Sequence, residues 1–255
     1  MDKTLLKGLS VLEAIAEAQG ELRVIDDLAT RVGLSRSNAH RTLQTLIHAG
    51  YVERDAVQGN YRATLKMFAL GLRQLSRLDV RRLAPPFMAC LARATGETIH
   101  LSVLDGLEVV YVDKIDSEHA VRAYTVVGGR APAHAVATGK ALLATESVAR
   151  LDRLPPQLPG FTAATITDPV QLREELSKAL DIGYAVNRGE WREDVGGVAA
   201  PVFDGLERPV AALGISGPLN RLAPARMTAL APRVVQAAGR LSAALGYARS
   251  PAVAG

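Results

Sequence analysis

Apolar residues recur at helical spacing three times within the first 50 positions, and this pattern predicts three short helices. The first covers residues 4–18 and is expected to end at Gly20. The second covers residues 25–32 and stops at Gly33. The third begins after Ser35 and has an apolar stripe of Ala39, Leu43, Leu46 and Ile47. Two short helices joined by a tight turn at Gly33 are typical of a helix-turn-helix.

Beyond Gly50 the apolar period shortens to alternation, which predicts strands at residues 51–54 and 60–63 around a Gln58-Gly59 turn. Residues 65–83 return to helical spacing, with apolar positions at Phe68, Leu72, Leu75 and Leu78. A lone helix between two domains must bury such a stripe, so we expect it to pair with a second chain.

Residues 84–248 mix strand and helix patterns, and residues 249–255 form a tail of small residues. Asp105-Gly106 lies between two apolar runs and predicts a hairpin. Asp168-Pro169 predicts a helix start with Asp as the N-cap. Strands are expected at 97–104, 107–114, 121–127, 184–187, 198–203 and 210–216, and helices at 138–144, 169–180 and 224–246.

These elements predict an α+β fold in three parts, because strands joined by a hairpin run antiparallel and need helices packed on them. Residues 1–64 are expected to form a winged helix-turn-helix and residues 65–83 a linker helix. Residues 84–248 are expected to form a mixed α/β domain with an antiparallel sheet, followed by a flexible tail at 249–255.

The polar face of the third helix has the composition of a DNA-reading surface. Ser35 is placed to cap that helix, and no acidic residue occurs between Arg31 and Val52. Arginine, asparagine and glutamine side chains can bind phosphates and base edges. The residues expected to contact DNA are Ser35, Arg36, Ser37, Asn38, His40, Arg41 and Gln44, with Arg54 and Arg62 on the wing. The alternative is a three-helix cap with a charged solvent face.

Composition adds little to this picture. The net charge of +4 and the pI near 9.4 suit a polyanionic partner but do not require one. The single cysteine, Cys90, excludes an intramolecular disulfide, and we expect it to pack on its helix against Phe87 and Leu91. Neither a signal peptide nor a membrane span is expected, so the predicted location is the cytoplasm.

Other segments give weaker indications of chemistry. Gly139-Lys140 is not a phosphate-binding loop, since His134 replaces its first glycine; it is either an anion-binding helix start or a plain junction. Ser216 lacks the glycine spacing of a nucleophile elbow, and His100 is interpreted as a core histidine. Residues 190–194 form either a polar loop over a cavity or an exposed turn. No catalytic triad, metal spacing or cofactor motif is found, so neither enzyme activity nor a cofactor is expected.

Seven blocks of the sequence carry a resemblance to a known family, and they are 6–12 (LKGLSVL), 33–46 (GLSRSNAHRTLQTL), 129–134 (GRAPAH), 137–144 (ATGKALLA), 183–190, 198–204 (VAAPVFD) and 215–218 (ISGP). Through these blocks the chain resembles the IclR family of bacterial transcriptional regulators over nearly its whole length. The resemblance implies a winged helix-turn-helix, a linker helix and a GAF-like effector-binding domain. It also implies homodimers or dimers of dimers on pseudo-palindromic operators, acting as repressors or activators that respond to small carboxylates or aromatic acids.

The resemblance also implies where an effector would bind, namely at Ala137, Thr138, Asn187, Gly197, Gly214 and Ser216. Three of these depart from the common type: Asn187 replaces an acid or serine, Gly197 replaces a larger residue, and Gly214 replaces a serine. Loss of side chains is expected to enlarge the cavity, so we expect an effector larger or less polar than a two-carbon keto acid, such as an aromatic acid. The alternatives are an enzyme of small carboxylic acids and a DNA-binding protein without an effector.

Overall fold

The structure is a computed structural model that describes residues 3–18, 22, 24–75 and 79–248. For residues 71–75 and 79 it describes the backbone alone. The chain forms two compact units, residues 1–77 and 78–255. The predicted bounds at 64, 83 and 248 stay predictions. The predicted helix stop at Gly20 and the tail at 249–255 lie outside the described residues.

The N-terminal unit consists of short helices followed by a strand pair. Its elements are α1 (Lys3–Glu17), α2 (Ile25–Arg31), α3 (Arg36–His48), β1 (Val52–Arg54), β2 (Tyr61–Ala63) and α4 (Leu65–Leu75). Strands β1 and β2 pair antiparallel. Val11 and Ile15 on α1, with Leu28 on α2 and Leu43 on α3, are buried in one apolar core. The burial of Ala39 and Leu43 confirms the predicted stripe of α3, whereas on α1 the positions Leu5 and Leu9 are exposed and the buried face is the one that carries Val11 and Ile15.

The turn between α2 and α3 is fixed by backbone conformation and capping. Gly33 has a φ of +64°, a left-handed conformation that glycine adopts without steric cost. The Leu34 amide donates to the carbonyl of Ala29, and the Ser35 side chain accepts from the amide of Asn38. Ser35 is therefore the N-cap of α3, as the sequence predicts.

The C-terminal unit contains the remaining elements. They are α5 (Asp79–Leu83), α6 (Pro85–Thr95), β3 (Thr98–Asp105), β4 (Glu108–Ile115), β5 (Arg130–Pro132), a 3₁₀ turn (Ala133–Ala135), α7 (Ala137–Leu143), α8 (Val148–Leu151), α9 (Pro169–Ile182), β6 (Ala185–Arg188), β7 (Val195–Phe203), β8 (Pro209–Pro218) and α10 (Pro224–Ala244). Asp168 caps α9 by accepting from the amide of Val170, as predicted.

Strands β3 to β8 form one antiparallel sheet in the order β5-β4-β3-β8-β7-β6. Helices α5, α6 and α10 cover one face with an apolar core that includes Ile99 and Leu213. Helices α7 and α9 cover the other face with a second core that includes Tyr111 and Ala199. This arrangement confirms the predicted α+β class and places α7 against the middle of the sheet.

Two predictions for this unit are wrong. Residues 121–127 are irregular and not a strand, because side chains occupy their carbonyls: Arg221 donates to Val121 and Lys114 to Thr125. Cys90 is exposed and does not pack as predicted, because α6 places the neighbouring Leu91 in the core instead.

The predicted linker at residues 65–83 is present as α4 and α5, with residues 76–78 outside the described part. Val80 on α5 is buried in the core of the C-terminal unit. The side chains of Leu72, Leu75 and Leu78 are not described, so most of the predicted apolar stripe remains a prediction.

Helix α7 approaches the preceding 3₁₀ turn so closely that Gly139 leaves no room for a side chain. A Cβ on Gly139 would lie 2.2 Å from the carbonyl oxygen and 2.3 Å from the Cα of Ala133. Since these are backbone atoms of the 3₁₀ turn, a Cβ would fit only if the turn and α7 moved apart. Glycine at this position is therefore a packing requirement.

We predict that Gly139→Ala lowers the free energy of unfolding by about 3 kcal/mol or more, since the added methyl group must displace α7. Gly239→Ala on α10 is the control, because a Cβ there has no heavy atom within 4 Å. That variant should be neutral or stabilised by about 0.5–1 kcal/mol, the helix-propensity gain of alanine. Urea titrations of both variants test the prediction, and equal effects would contradict it.

Candidate functional site

The exposed face of α3 carries the polar residues that the sequence predicts for DNA contact. Arg36, Ser37, His40, Arg41 and Gln44 are exposed, and Asn38 is half-buried. Their opposite face holds the fully buried Ala39 and Leu43. Arg41 donates a hydrogen bond of 3.0 Å to the side chain of Asn38. Helix α3 therefore presents donors and acceptors to solvent on one side and is anchored on the other.

Two of these arginines form ion pairs with acidic side chains that lie on a neighbouring helix or strand. Arg36 pairs with Asp26 of α2 at 2.5 Å. An acidic side chain therefore lies beside the polar face of α3, although α3 itself contains none. On the wing, Arg62 pairs with Glu53 at 2.8 Å across the β1-β2 ladder. Arg54 donates to the carbonyl of Gly59. Arg41 is thus the arginine of α3 that has no carboxylate partner among the described residues.

A second candidate site is a cavity between α7, the sheet and the segment after β6. Five of the six predicted effector residues line it, while Gly214 does not. The predicted lining residues are Ala137, Thr138, Asn187, Gly197 and Ser216. The sequence analysis missed the other lining residues, which are His100, Tyr111, Ala123, Tyr124, Thr125, Val136, Trp191, Arg192, Val195 and Ile215.

The expectation that glycines enlarge this cavity is wrong. A Cβ on Gly197 would lie 2.7 Å from the carbonyl oxygen of Ile215, and one on Gly214 would lie 2.7 Å from the Cβ of Ala199. The neighbouring strands have closed on the space that the missing side chains leave. The cavity is about 40 Å³, which holds water molecules, whereas a cavity of about 150 Å³ accommodates benzene. A ring-sized ligand therefore requires the lining to move.

His100 is buried at the base of the cavity and has a hydroxyl on each side. Its Nε2 lies 2.8 Å from Oγ1 of Thr125, and its Nδ1 lies 3.3 Å from Oγ of Ser216. Burial lowers the pKa of His100 to about 4, and the charge of Lys114 acts in the same direction against the weaker opposing effect of Asp116. The imidazole is therefore neutral at pH 7. His100 is the core histidine that the sequence predicts, and it lines the cavity as well.

Lys140 and Glu190 form a buried ion pair beside this cavity. The Lys140 Nζ lies 2.7 Å from both carboxylate oxygens of Glu190 and 3.6 Å from Glu175. Lys140 is completely buried, and Glu190 is 4% exposed. The ammonium group of Lys140 is thus bound to protein carboxylates, while the two interpretations of the Gly139-Lys140 helix start, an anion site formed by backbone N–H groups or a plain junction, stay predictions.

Residues 189–194 form a polar loop at the cavity, which is one of the two interpretations left open by the sequence. Glu190 is held by its amide, which donates to Asn187, and by its carbonyl, which accepts from Thr165. Trp191 and Arg192 follow directly and line the cavity. The predicted residue Asn187 therefore supports this loop as well as lining the cavity.

Across residues 3–18, 22, 24–75 and 79–248, no three His, Cys, Asp or Glu side chains are grouped as metal ligands. Within those residues, no helix has the length and apolarity that crossing a bilayer requires.

We predict that His100 makes the C-terminal unit less stable in acid. Its pKa is about 4 in the folded chain against an ordinary 6.5, so below pH 6.5 the unfolded chain binds a proton that the folded chain excludes. The loss grows as the pH falls towards 4 and is about 2 kcal/mol at pH 5. Urea titrations at pH 7 and pH 5 should show a smaller pH effect in His100→Gln. His119→Gln controls for loss of an exposed imidazole, and an unchanged pH effect in His100→Gln would contradict the prediction.

Comparisons with known proteins identify the family to which the chain belongs. The family profile described as the IclR helix-turn-helix domain matches residues 4–56, and that of the bacterial transcriptional regulator IclR C-terminal matches residues 72–243. The chain is 36% identical to the HTH-type transcriptional regulator XynR of Escherichia coli, covering 94% of this chain and 96% of XynR. It is 32% identical to the transcriptional repressor IclR of E. coli, covering 97% and 91%.

Among solved structures, an IclR homolog from Microbacterium hydrocarbonoxydans, complexed with 4-hydroxybenzoate, superposes with a TM-score of 0.82. It shares 27% identity, and the match covers 95% of this chain and 99% of that one. The two family profiles together cover most of the chain, and the curated relatives are matched over almost their full length. The chain therefore belongs to the IclR family of bacterial transcriptional regulators.

Proposed function

We propose that this protein binds an operator through α3 and the wing and releases or retains it in response to a small acidic effector in the C-terminal cavity. The observation that carries the proposal is the presence of both sites on one chain: an exposed polar face on α3 and a partly polar cavity against α7. Several relatives are named as repressors, and repression is the sign of regulation that we propose here.

DNA contact is proposed for the solvent face of α3 in the major groove, with the wing on the phosphate backbone. Arg41 and Gln44 are exposed at the middle of the helix, where side chains reach base edges. Arg36 must leave Asp26, or share its guanidinium with it, to bind a phosphate. Because Arg62 is already paired with Glu53, we expect a smaller contribution from it.

A homodimer, alone or as a dimer of dimers, is proposed on the basis of exposed apolar side chains in the N-terminal unit. Leu5 and Leu9 on α1 are 63% and 47% exposed, and Leu65 and Phe68 on α4 are 81% and 62% exposed. Apolar residues concentrated on helix faces mark surfaces for association. A symmetric dimer would place two copies of α3 on the half-sites of a pseudo-palindromic operator.

The effector is proposed to be a small organic acid, aromatic acids included. The cavity combines the rings of Tyr111 and Trp191 with the hydroxyls of Thr125, Thr138 and Ser216. The structural relative that was solved with 4-hydroxybenzoate supports this class. Since the cavity is too small for a ring, we propose that the side chains of Trp191 and Arg192 at its mouth move when the effector binds. The effector can change operator affinity only by binding the two states of the protein unequally.

A metabolite panel read by thermal shift, followed by gel shift on the upstream DNA of the gene, tests this function. We expect at least one organic acid to raise the melting temperature and to change operator affinity. Turnover of the bound acid would establish the enzyme alternative. Salt-sensitive DNA binding with little sequence preference and no thermal shift would establish a DNA-binding protein without an effector.

We predict that Arg41→Ala weakens specific operator binding by about tenfold or more, since a base or phosphate contact by arginine contributes about 1–3 kcal/mol. Arg41 is exposed, so the variant should unfold at the wild-type temperature. A gel-shift titration at fixed salt measures the effect. Arg226→Ala removes the same charge from the exposed start of α10 and serves as the control. Equal affinities for all three proteins would refute the prediction.

A further inference from the structure

We propose that Arg192 binds the carboxylate of the effector at the mouth of the cavity. This inference rests on the proposed effector-binding function and adds the residue that would recognise the acid group. It starts from the charges around the cavity: of the described residues that line it, Arg192 alone carries a formal charge at pH 7. The remaining polar groups are hydroxyls, an amide and a neutral imidazole.

The other nearby cations are not available to an anion. Lys140 is completely buried, and both oxygens of Glu190 occupy its ammonium group at 2.7 Å. Lys114 donates to Asp116 and to the carbonyl of Thr125. The pKa of His100, lowered to about 4 by burial, keeps its ring uncharged. A carboxylate entering the cavity therefore has one protein cation to pair with.

Arg192 itself has the exposure and the geometry to accept a ligand. Its side chain is exposed, and in the described part of the chain it forms no ion pair. The guanidinium carbon lies 4.9 Å from the ring centroid of Trp191, so the planar group is held near the ring. Stacking leaves the N–H groups at the edge of the guanidinium available, and these bind a carboxylate in a two-point arrangement.

The backbone beneath Arg192 is fixed by several hydrogen bonds. The hydroxyl of Thr162 donates to the carbonyl of Gly189 at 2.7 Å, and the amide of Val195 donates to the carbonyl of Arg192 at 3.0 Å. Two residues before Arg192, Glu190 forms its buried ion pair with Lys140. The attachment point of Arg192 is thus constrained while its side chain remains accessible, as a pre-organised recognition group requires.

The interior of the cavity sets the expected orientation of the ligand. Thr125 and Ser216, on either side of His100, offer neutral donors and acceptors. The Tyr111 ring, which also lines the cavity, lies 4.8 Å from the His100 ring. An effector with a carboxylate at one end and an uncharged polar group at the other would pair its acid with Arg192 and its polar end with the interior hydroxyls.

Matched acid and amide probes test this assignment. The probes are 4-hydroxybenzoate with 4-hydroxybenzamide, together with the acid and amide forms of the most stabilising aliphatic and aromatic acids of a thermal-shift panel. Calorimetry on the full-length wild type should show at least one acid binding about tenfold or more tighter than its amide, the value of a charge-assisted hydrogen bond pair. Arg192→Gln should lose this preference and keep its affinity for the amide, and Arg192→Lys should regain part of it.

The control is Arg226→Gln, which removes an exposed arginine that does not line the cavity and should keep the wild-type preference. Retained preference in Arg192→Gln overturns the assignment while leaving the effector function intact. If only uncharged metabolites bind, the assignment and the proposed acidic effector are both overturned. If no probe binds the wild type, both the assignment and the proposed acid effector are wrong.

Discussion

The buried contact between Lys140 and Glu190 is the interaction on which the C-terminal unit depends. It joins α7, which packs against the middle of the sheet, to the loop that carries Trp191 and Arg192. Burying two charges costs several kcal/mol each, and only close pairing with further hydrogen bonds offsets this. The structure meets that requirement, since Glu190 also accepts from the amide of Arg188. The pair therefore fixes the position of the loop more than it adds net stability.

This constraint explains how one small cavity can have both a rigid base and a movable mouth. Gly139 leaves α7 no room to shift against Ala133, so the base is fixed by backbone contact. Trp191 and Arg192 directly follow the anchored Glu190. The Trp191 side chain is half-buried, and the Arg192 side chain is exposed. A ligand larger than water must therefore displace the mouth and not the base.

Local signals made most of the fold predictable from the sequence. Periodicity, the cap at Ser35 and the Asp168-Pro169 helix start each act within a few residues, and the structure confirms them. Contacts between distant segments were not predictable. Asp26 reaches Arg36 across the turn, and Glu190 reaches Lys140 across fifty residues. The segment 121–127 alternates like a strand, yet side-chain donors from elsewhere take its carbonyls. The same limit hid the position of Arg192, because the sequence left open whether its loop covers a cavity or is an exposed turn.

A double-mutant cycle on Lys140 and Glu190 tests the central claim most directly. Trp191 is the only tryptophan, so its fluorescence reports unfolding at the loop itself. Lys140→Met and Glu190→Gln should each lower the free energy of unfolding by about 3–5 kcal/mol, because each leaves a buried charge without its main partner. The double variant should lose clearly less than the sum of the two. Additive losses, within about 0.5 kcal/mol, would show that the pair does not hold the loop to α7.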